Sequence, residues 1–113
     1  MRRTWLIPAA LALCAAAPRP MQFWNLTSAT ITHLQLAPFG TQGWGPDQCR
    51  NDPDGAVDAD ERLPLKGVPP GRYAVRLTEK GGRQCVLPDV TVKEGGHYAF
   101  SIADTDLKDC TGP

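Results

Sequence analysis

The sequence carries no surplus of either charge: twelve Lys and Arg stand against twelve Asp and Glu in 113 residues. A balanced chain has no electrostatic footprint for nucleic acid, so no nucleic-acid partner is expected. A long apolar run is also missing. The apolar stretch over residues 4–17 falls short of the roughly 20 residues of a spanning helix. Four cysteines include no Cys-x-x-Cys pair, which removes the usual thiol–disulfide exchange motif. Only two histidines are present, and with dispersed cysteines they lack zinc-ligand spacing. No nucleophile-elbow context surrounds any serine, so no catalytic residue can be named and a non-enzymatic protein is expected. The chain is too short for two cores of useful size.

What is present points to export. Met1-Arg2-Arg3 is basic, residues 4–17 are apolar, and Ala15-Ala16-Ala17 are small. Basic, apolar, then small is the order of a secretory signal, so residues 1–17 are expected to be a signal peptide. Cleavage after Ala16 or Ala17 fits equally. Arg2-Arg3 with Trp5 also resembles a twin-arginine signal, and Leu11-Ala12-Leu13-Cys14 a lipoprotein box. Membrane attachment is expected only if Cys14 is lipidated. The protein is then periplasmic or secreted. After processing, Cys49, Cys85 and Cys110 remain in an oxidising compartment, where one bridge and one leftover thiol are expected. Cys85–Cys110 is favoured, with Cys49–Cys110 as the alternative.

Residues 18–113 read as a single β domain. Eleven Gly and eleven Pro supply many turns. Gln22-Phe23-Trp24-Asn25-Leu26 is a short aromatic strand. Residues 30–37 form a second, with a slip in alternation that places a bulge near His33. Residues 62–66 read as an edge strand because Pro64 cannot donate to a ladder. Tyr73, Val75 and Leu77 alternate with Arg72, Ala74 and Arg76, and Gly81-Gly82 turns the chain. Val90 and Val92 are expected to pair with Tyr98, Phe100 and Ile102 through a hairpin at Glu94-Gly95-Gly96. A single turn is expected between Asp104 and Cys110. Period-two patterning with frequent turns predicts an all-β, antiparallel sandwich of six or seven strands. Its core is expected to hold Trp24, Leu34, Leu36, Leu65, Tyr73, Val75, Leu77, Val90, Val92, Tyr98, Phe100 and Ile102.

The stretch Leu65-Lys66-Gly67-Val68-Pro69-Pro70-Gly71-Arg72-Tyr73-Ala74-Val75-Arg76-Leu77, followed by Val90-Thr91-Val92-Lys93-Glu94-Gly95-Gly96, resembles carboxypeptidase-regulatory and transthyretin-like β-sandwich domains. The front half, from Phe23-Trp24-Asn25-Leu26-Thr27 to Trp44-Gly45-Pro46-Asp47-Gln48, resembles small exported bacterial β-proteins. The resemblance implies an immunoglobulin- or transthyretin-like sandwich and leaves the role open.

Charge is segregated along the chain. Residues 47–61 hold Asp47, Asp52, Asp54, Asp58, Asp60 and Glu61 against Arg50 alone. Asp-Pro-Asp-Gly-Ala-Val-Asp-Ala-Asp-Glu resembles the calcium loop of EF-hand and dockerin-type proteins. With Gly55 as the turning glycine, the resemblance implies calcium ligands at Asp52, Asp54, the Ala56 carbonyl, Asp58 and Glu61. Arg50 falls at the first position, where Asp47 or a water would have to substitute. The competing reading is a solvated loop of turn-forming Asp and Gly. Residues 62–93 carry seven bases against Glu79 and Asp89. That stretch is either a strip for an acidic partner or a solvated face paired with the acidic loop. Trp44, in the glycine-rich 41–46 loop, either stacks on a ligand such as a sugar or anchors the loop. His33 and His97 are expected in strands, on outward or edge positions. Asn25-Leu26-Thr27 is a glycosylation sequon that a bacterial chain leaves unmodified. The expected role is an exported binding or structural module of the cell envelope with an unidentified partner, calcium-stabilised through its acidic loop. The alternative is a carbohydrate- or peptide-binding module using Trp44.

Overall fold

Seven strands follow one another along residues 21–113, which are the residues described by the computed structural model. They are β1 (Gln22–Leu26), β2 (Ile31–Pro38), β3 (Arg62–Pro64), β4 (Gly71–Glu79), β5 (Gln84–Val92), β6 (Phe100–Ala103) and β7 (Asp109–Thr111). Single 3-10 turns occupy Gln48–Asn51 and Asp104–Asp106. The expected leader, with Arg2-Arg3 and Cys14, lies outside the described residues.

The strands form two sheets, ordered β3-β1-β6 and β2-β4-β5-β7. Both contribute to one core. Phe23, Leu63, Phe100 and Ile102 come from the three-stranded sheet, and Leu34, Val75, Leu77 and Val92 from the other. Close to half of the described residues are thus in the strands of a two-sheet β structure, with no helix of seven or more residues among them. The bulge expected near His33 is present as a register shift between Ile31 and His33. β3 is a sheet edge, so Pro64 lies where a missing N–H is tolerated. The Gly81-Gly82 turn joins antiparallel β4 and β5 as expected.

Three expectations are corrected. First, β5 and β6 do not form a hairpin through Glu94-Gly95-Gly96; they lie in different sheets. The Lys93 N–H donates to the Ala99 carbonyl (3.0 Å), and the Ala99 N–H donates to the Gln22 carbonyl (2.7 Å). These bonds turn the chain out of one sheet and deliver β6 to β1, where it pairs in parallel. His97 accordingly lies in this connecting loop and not in a strand. Second, the phase of β1 is inverted. Phe23 is fully buried against Phe100, with ring centroids 4.9 Å apart, while Trp24 faces outward and is half-buried. Apolar alternation favours Trp24 and Leu26 inward. The chain instead buries Phe23 and Asn25, because Asn25 finds a partner for every polar group it carries. Third, Tyr98 leaves the expected core: it is exposed, packed beside Trp24 with ring centroids 5.3 Å apart.

β7 lies antiparallel to the start of β5, with Cys85 directly opposite Cys110. Those two cysteines are bonded, which decides between the pairings expected. Cys49 is buried and free, with its Sγ 3.6 Å from the Ile31 carbonyl. Burial, reinforced by Asp47, pushes its thiol up to about 12, so it stays protonated and unreactive in the folded protein.

Candidate functional site

The acidic segment is built from its own hydrogen bonds. Asp47 caps the 3-10 turn at Gln48–Asn51: one carboxylate oxygen accepts from the N–H groups of Cys49 and Leu34, both at 3.0 Å. The other lies 2.7 Å from Nδ1 of His33. Burial of this carboxylate opposes its ionisation, yet the bonds from Leu34, His33 and Cys49 together hold it below its ordinary range. A lowered folded pKa contributes stability above the unfolded value and loses it as pH falls through the folded one. Asp47→Asn is therefore expected to lower stability by about 1 kcal/mol at neutral pH. The deficit should shrink on acidification below about pH 4, read from urea midpoints across a pH series.

The residues expected to bind calcium are distributed along the next turns. Gly55, with φ +72°, makes the sharp turn the resemblance required. Asp52 accepts from the Asp54 N–H (2.8 Å), Asp58 from the Thr30 hydroxyl (2.9 Å), and Glu61 from the Asp58 N–H (2.9 Å). Asp60, at φ 68°, accepts from the indole N–H of Trp24 (3.1 Å). Val57, next to Ala56, is buried and bridges to Ile31. Among the described residues, no three His, Cys, Asp or Glu side chains are grouped to hold a metal. The calcium reading is tested by melting in millimolar calcium against chelator: a rise of several degrees, lost in Asp54→Ala and Glu61→Ala, establishes a metal loop, and no shift ends the reading.

The basic stretch is not neutralised by this loop. Arg72 pairs with Asp89 (2.8 Å) and Arg83 with Glu79 (2.8 Å), the two acids of its own segment. Three guanidinium groups instead lie over aromatic rings: Arg62 over Trp24, Arg72 over Phe39, and Arg76 over Trp44. Such stacking is favourable and orders both partners.

Two of these stacks frame a groove on the outer face of the four-stranded sheet. The loop after β2 folds back over that face because it is pinned on either side of Trp44. The Phe39 N–H donates to the Arg72 carbonyl (3.1 Å), and the Gly45 N–H to the Leu36 carbonyl (2.9 Å). A Cβ at Gly45 would stand 3.3 Å from that same Leu36 oxygen, so the close approach favours glycine. The Gln35 side chain adds a bond from its Nε2 to the Gly45 carbonyl (3.0 Å). The resulting groove, of about 420 Å3, is floored by Ala74, Val86 and Pro88 and walled by Phe39, Gln42 and Trp44. Trp44 is half-buried and Phe39 is 45% exposed. Trp44 thus serves as a loop anchor and as a wall at once.

A larger cavity of about 580 Å3 opens where β5 and β6 part company, with Leu87, Val90, Tyr98 and Phe100 among its lining. Sequence reasoning singled out Trp44 and passed over Phe39. The available signal was two aromatic residues set among Gly40, Gly43 and Gly45 in one loop.

No family model matches the chain, and neither the curated proteins nor the solved structures yield a match.

Proposed function

We propose that this is a non-enzymatic, exported binding module whose ligand, a carbohydrate or an extended peptide, occupies the groove beside Trp44. The observation that carries this reading is the composition of the groove. Two aromatic side chains, held by backbone bonds rather than by the hydrophobic core, stand over an apolar floor on an open sheet face. Binding sites combine such apolar walls with a few polar groups that fix orientation. Export is supported by the Cys85–Cys110 bond, since disulfides persist in oxidising compartments. Among the described residues, no helix is long and apolar enough to cross a membrane. The non-enzymatic part of the reading draws on Cys49, whose buried thiol is removed from nucleophilic use.

The test is intrinsic fluorescence of the mature protein titrated against a panel of oligosaccharides and of short peptides. At least one class is expected to quench or shift the Trp emission. The response should vanish in Trp44→Ala and weaken in Phe39→Ala, while both variants keep the parent circular dichroism spectrum. Absence of a response from the whole panel, or an undiminished one in Trp44→Ala, overturns the reading.

A further inference from the structure

We propose that the ligand of the Trp44 groove is an acidic polysaccharide, and that Arg76 receives a carboxylate of its uronic-acid units. This rests on the binding-module reading and specifies its ligand.

The inference starts from how the two arginines of β4 use their donors. Arg72 gives Nε and Nη2 to the two oxygens of Asp89, at 3.0 and 2.8 Å. Its charge is matched by a carboxylate. Arg76 gives the same two nitrogens to one neutral oxygen, the Gln35 amide, at 3.2 and 2.8 Å. Its charge is matched by no acid among the described residues. A guanidinium has five N–H donors in fixed directions. With the Nε side engaged, the Nη1–Nη2 end remains as a second fork, and that fork fits a planar carboxylate in two parallel bonds. Gln35 orients this fork while also holding the Trp44 loop through Gly45.

The position of Arg76 favours a sugar acid. It lies opposite Val86 of the groove floor and against the Trp44 ring, 4.4 Å from its centroid. An anionic group bound there belongs to a unit packed along Trp44 and Val86. The Gln42 carbonyl accepts from the Trp44 backbone N–H (2.9 Å), while the Gln42 side chain and the Trp44 indole N–H, both at the groove, have no hydrogen bond to another described residue and suit ring hydroxyls. A ring bearing hydroxyls on its edge and one carboxylate, repeated along a chain, satisfies all of these groups.

Calorimetry on the mature protein tests this with oligogalacturonate, its fully methyl-esterified counterpart of equal length, and polyglutamate. Oligogalacturonate is expected to bind at least about tenfold more tightly than the ester, as charge-assisted hydrogen bonds imply. Arg76→Gln should erase that preference, Arg76→Lys should keep part of it, and Arg83→Gln should leave it intact. Trp44→Ala should abolish binding of both sugars. Equal affinity for acid and ester, with Trp44 still required, overturns the acidic ligand and leaves the groove standing. Tighter binding of polyglutamate assigns the groove to a peptide and overturns the inference. Equal losses in Arg83→Gln and Arg76→Gln reduce it to diffuse charge, also overturning it. Failure of every ligand to bind in a Trp44-dependent way removes the binding-module reading itself.

Discussion

Asn25→Asp is expected to destabilise the folded protein by about 4 kcal/mol, although the two side chains have nearly the same shape. Asn25 is fully buried, and its amide is completely used. Its Nδ2 donates to the carbonyls of Ala29 (2.9 Å) and Val57 (3.1 Å). Its Oδ1 accepts from the Thr27 N–H (3.0 Å) and hydroxyl (2.7 Å). An aspartate keeps the two acceptor bonds but turns both donor bonds into contacts between a carboxylate and carbonyl oxygens. Leaving one buried polar group unpaired costs about 1–3 kcal/mol, and a buried charge costs more. Asn25→Ala, which places no charge there, should lose less. The comparison is made by urea unfolding of both variants. Equal or negligible losses would mean that the loop relaxes to admit water. The same geometry accounts for the sequon: a buried asparagine offers no surface for a glycan in the folded state.

Removal of the Cys85–Cys110 bond is the second large effect. The bond closes a segment of 25 residues, for which loop-closure entropy predicts a loss of about 3.5 kcal/mol. For a domain of this size the melting temperature should fall by about 15 °C or more in Cys85→Ser/Cys110→Ser or under reduction. The loss has an identifiable location. β7 is three residues long and pairs only with Gln84–Val86, so the bond holds a strand too short to hold itself. Thiol titration provides the companion measurement: without the segment that carries Cys14, the oxidised protein should show one thiol, Cys49, and only after unfolding. A thiol accessible in the native state, or an unchanged melting temperature on reduction, would contradict this account.

Much of the second half of the chain was legible because its signals were local. The 73–77 alternation, the Gly81-Gly82 turn and the edge position of Pro64 each follow from a few adjacent residues, as does the bulge near His33 in the first half. The Cys85–Cys110 pairing was expected from a partnership of β5 with β6 that does not form; it is β7, paired with β5, that sets residue 110 opposite residue 85. Three features were not legible. The phase of β1 could not be read from Phe23-Trp24-Asn25-Leu26, because the inward asparagine violates the apolar rule and is stabilised by carbonyls distant in sequence. The parallel placement of β6 was hidden because Glu94-Gly95-Gly96 reads as a hairpin, and only the bond from Ala99 to Gln22 redirects the chain. The acidic loop showed its composition but not its use: Asp47, Asp52 and Glu61 accept from backbone N–H groups, and Asp58 and Asp60 from the Thr30 and Trp24 side chains. For the groove, Trp44 and the arginine strip were both visible, but their stacking depends on a loop folding back over β4.

The parallel pairing of β1 with β6 also sets the order in which the chain can assemble. β1 is the central strand of its sheet, and both neighbours come from far along the chain: β3 at Arg62–Pro64 and β6 at Phe100–Ala103. The four-stranded sheet can begin with the local β4–β5 hairpin, but β1 has no adjacent partner on which to nucleate. Contacts between distant segments must overcome chain entropy before they are rewarded, and such topologies fold slowly. The three-stranded sheet is therefore the late half of the molecule. Until Phe100 arrives to cover Phe23, β1 remains unfinished, an apolar strand whose two partners are the last pieces of its sheet to be set in place.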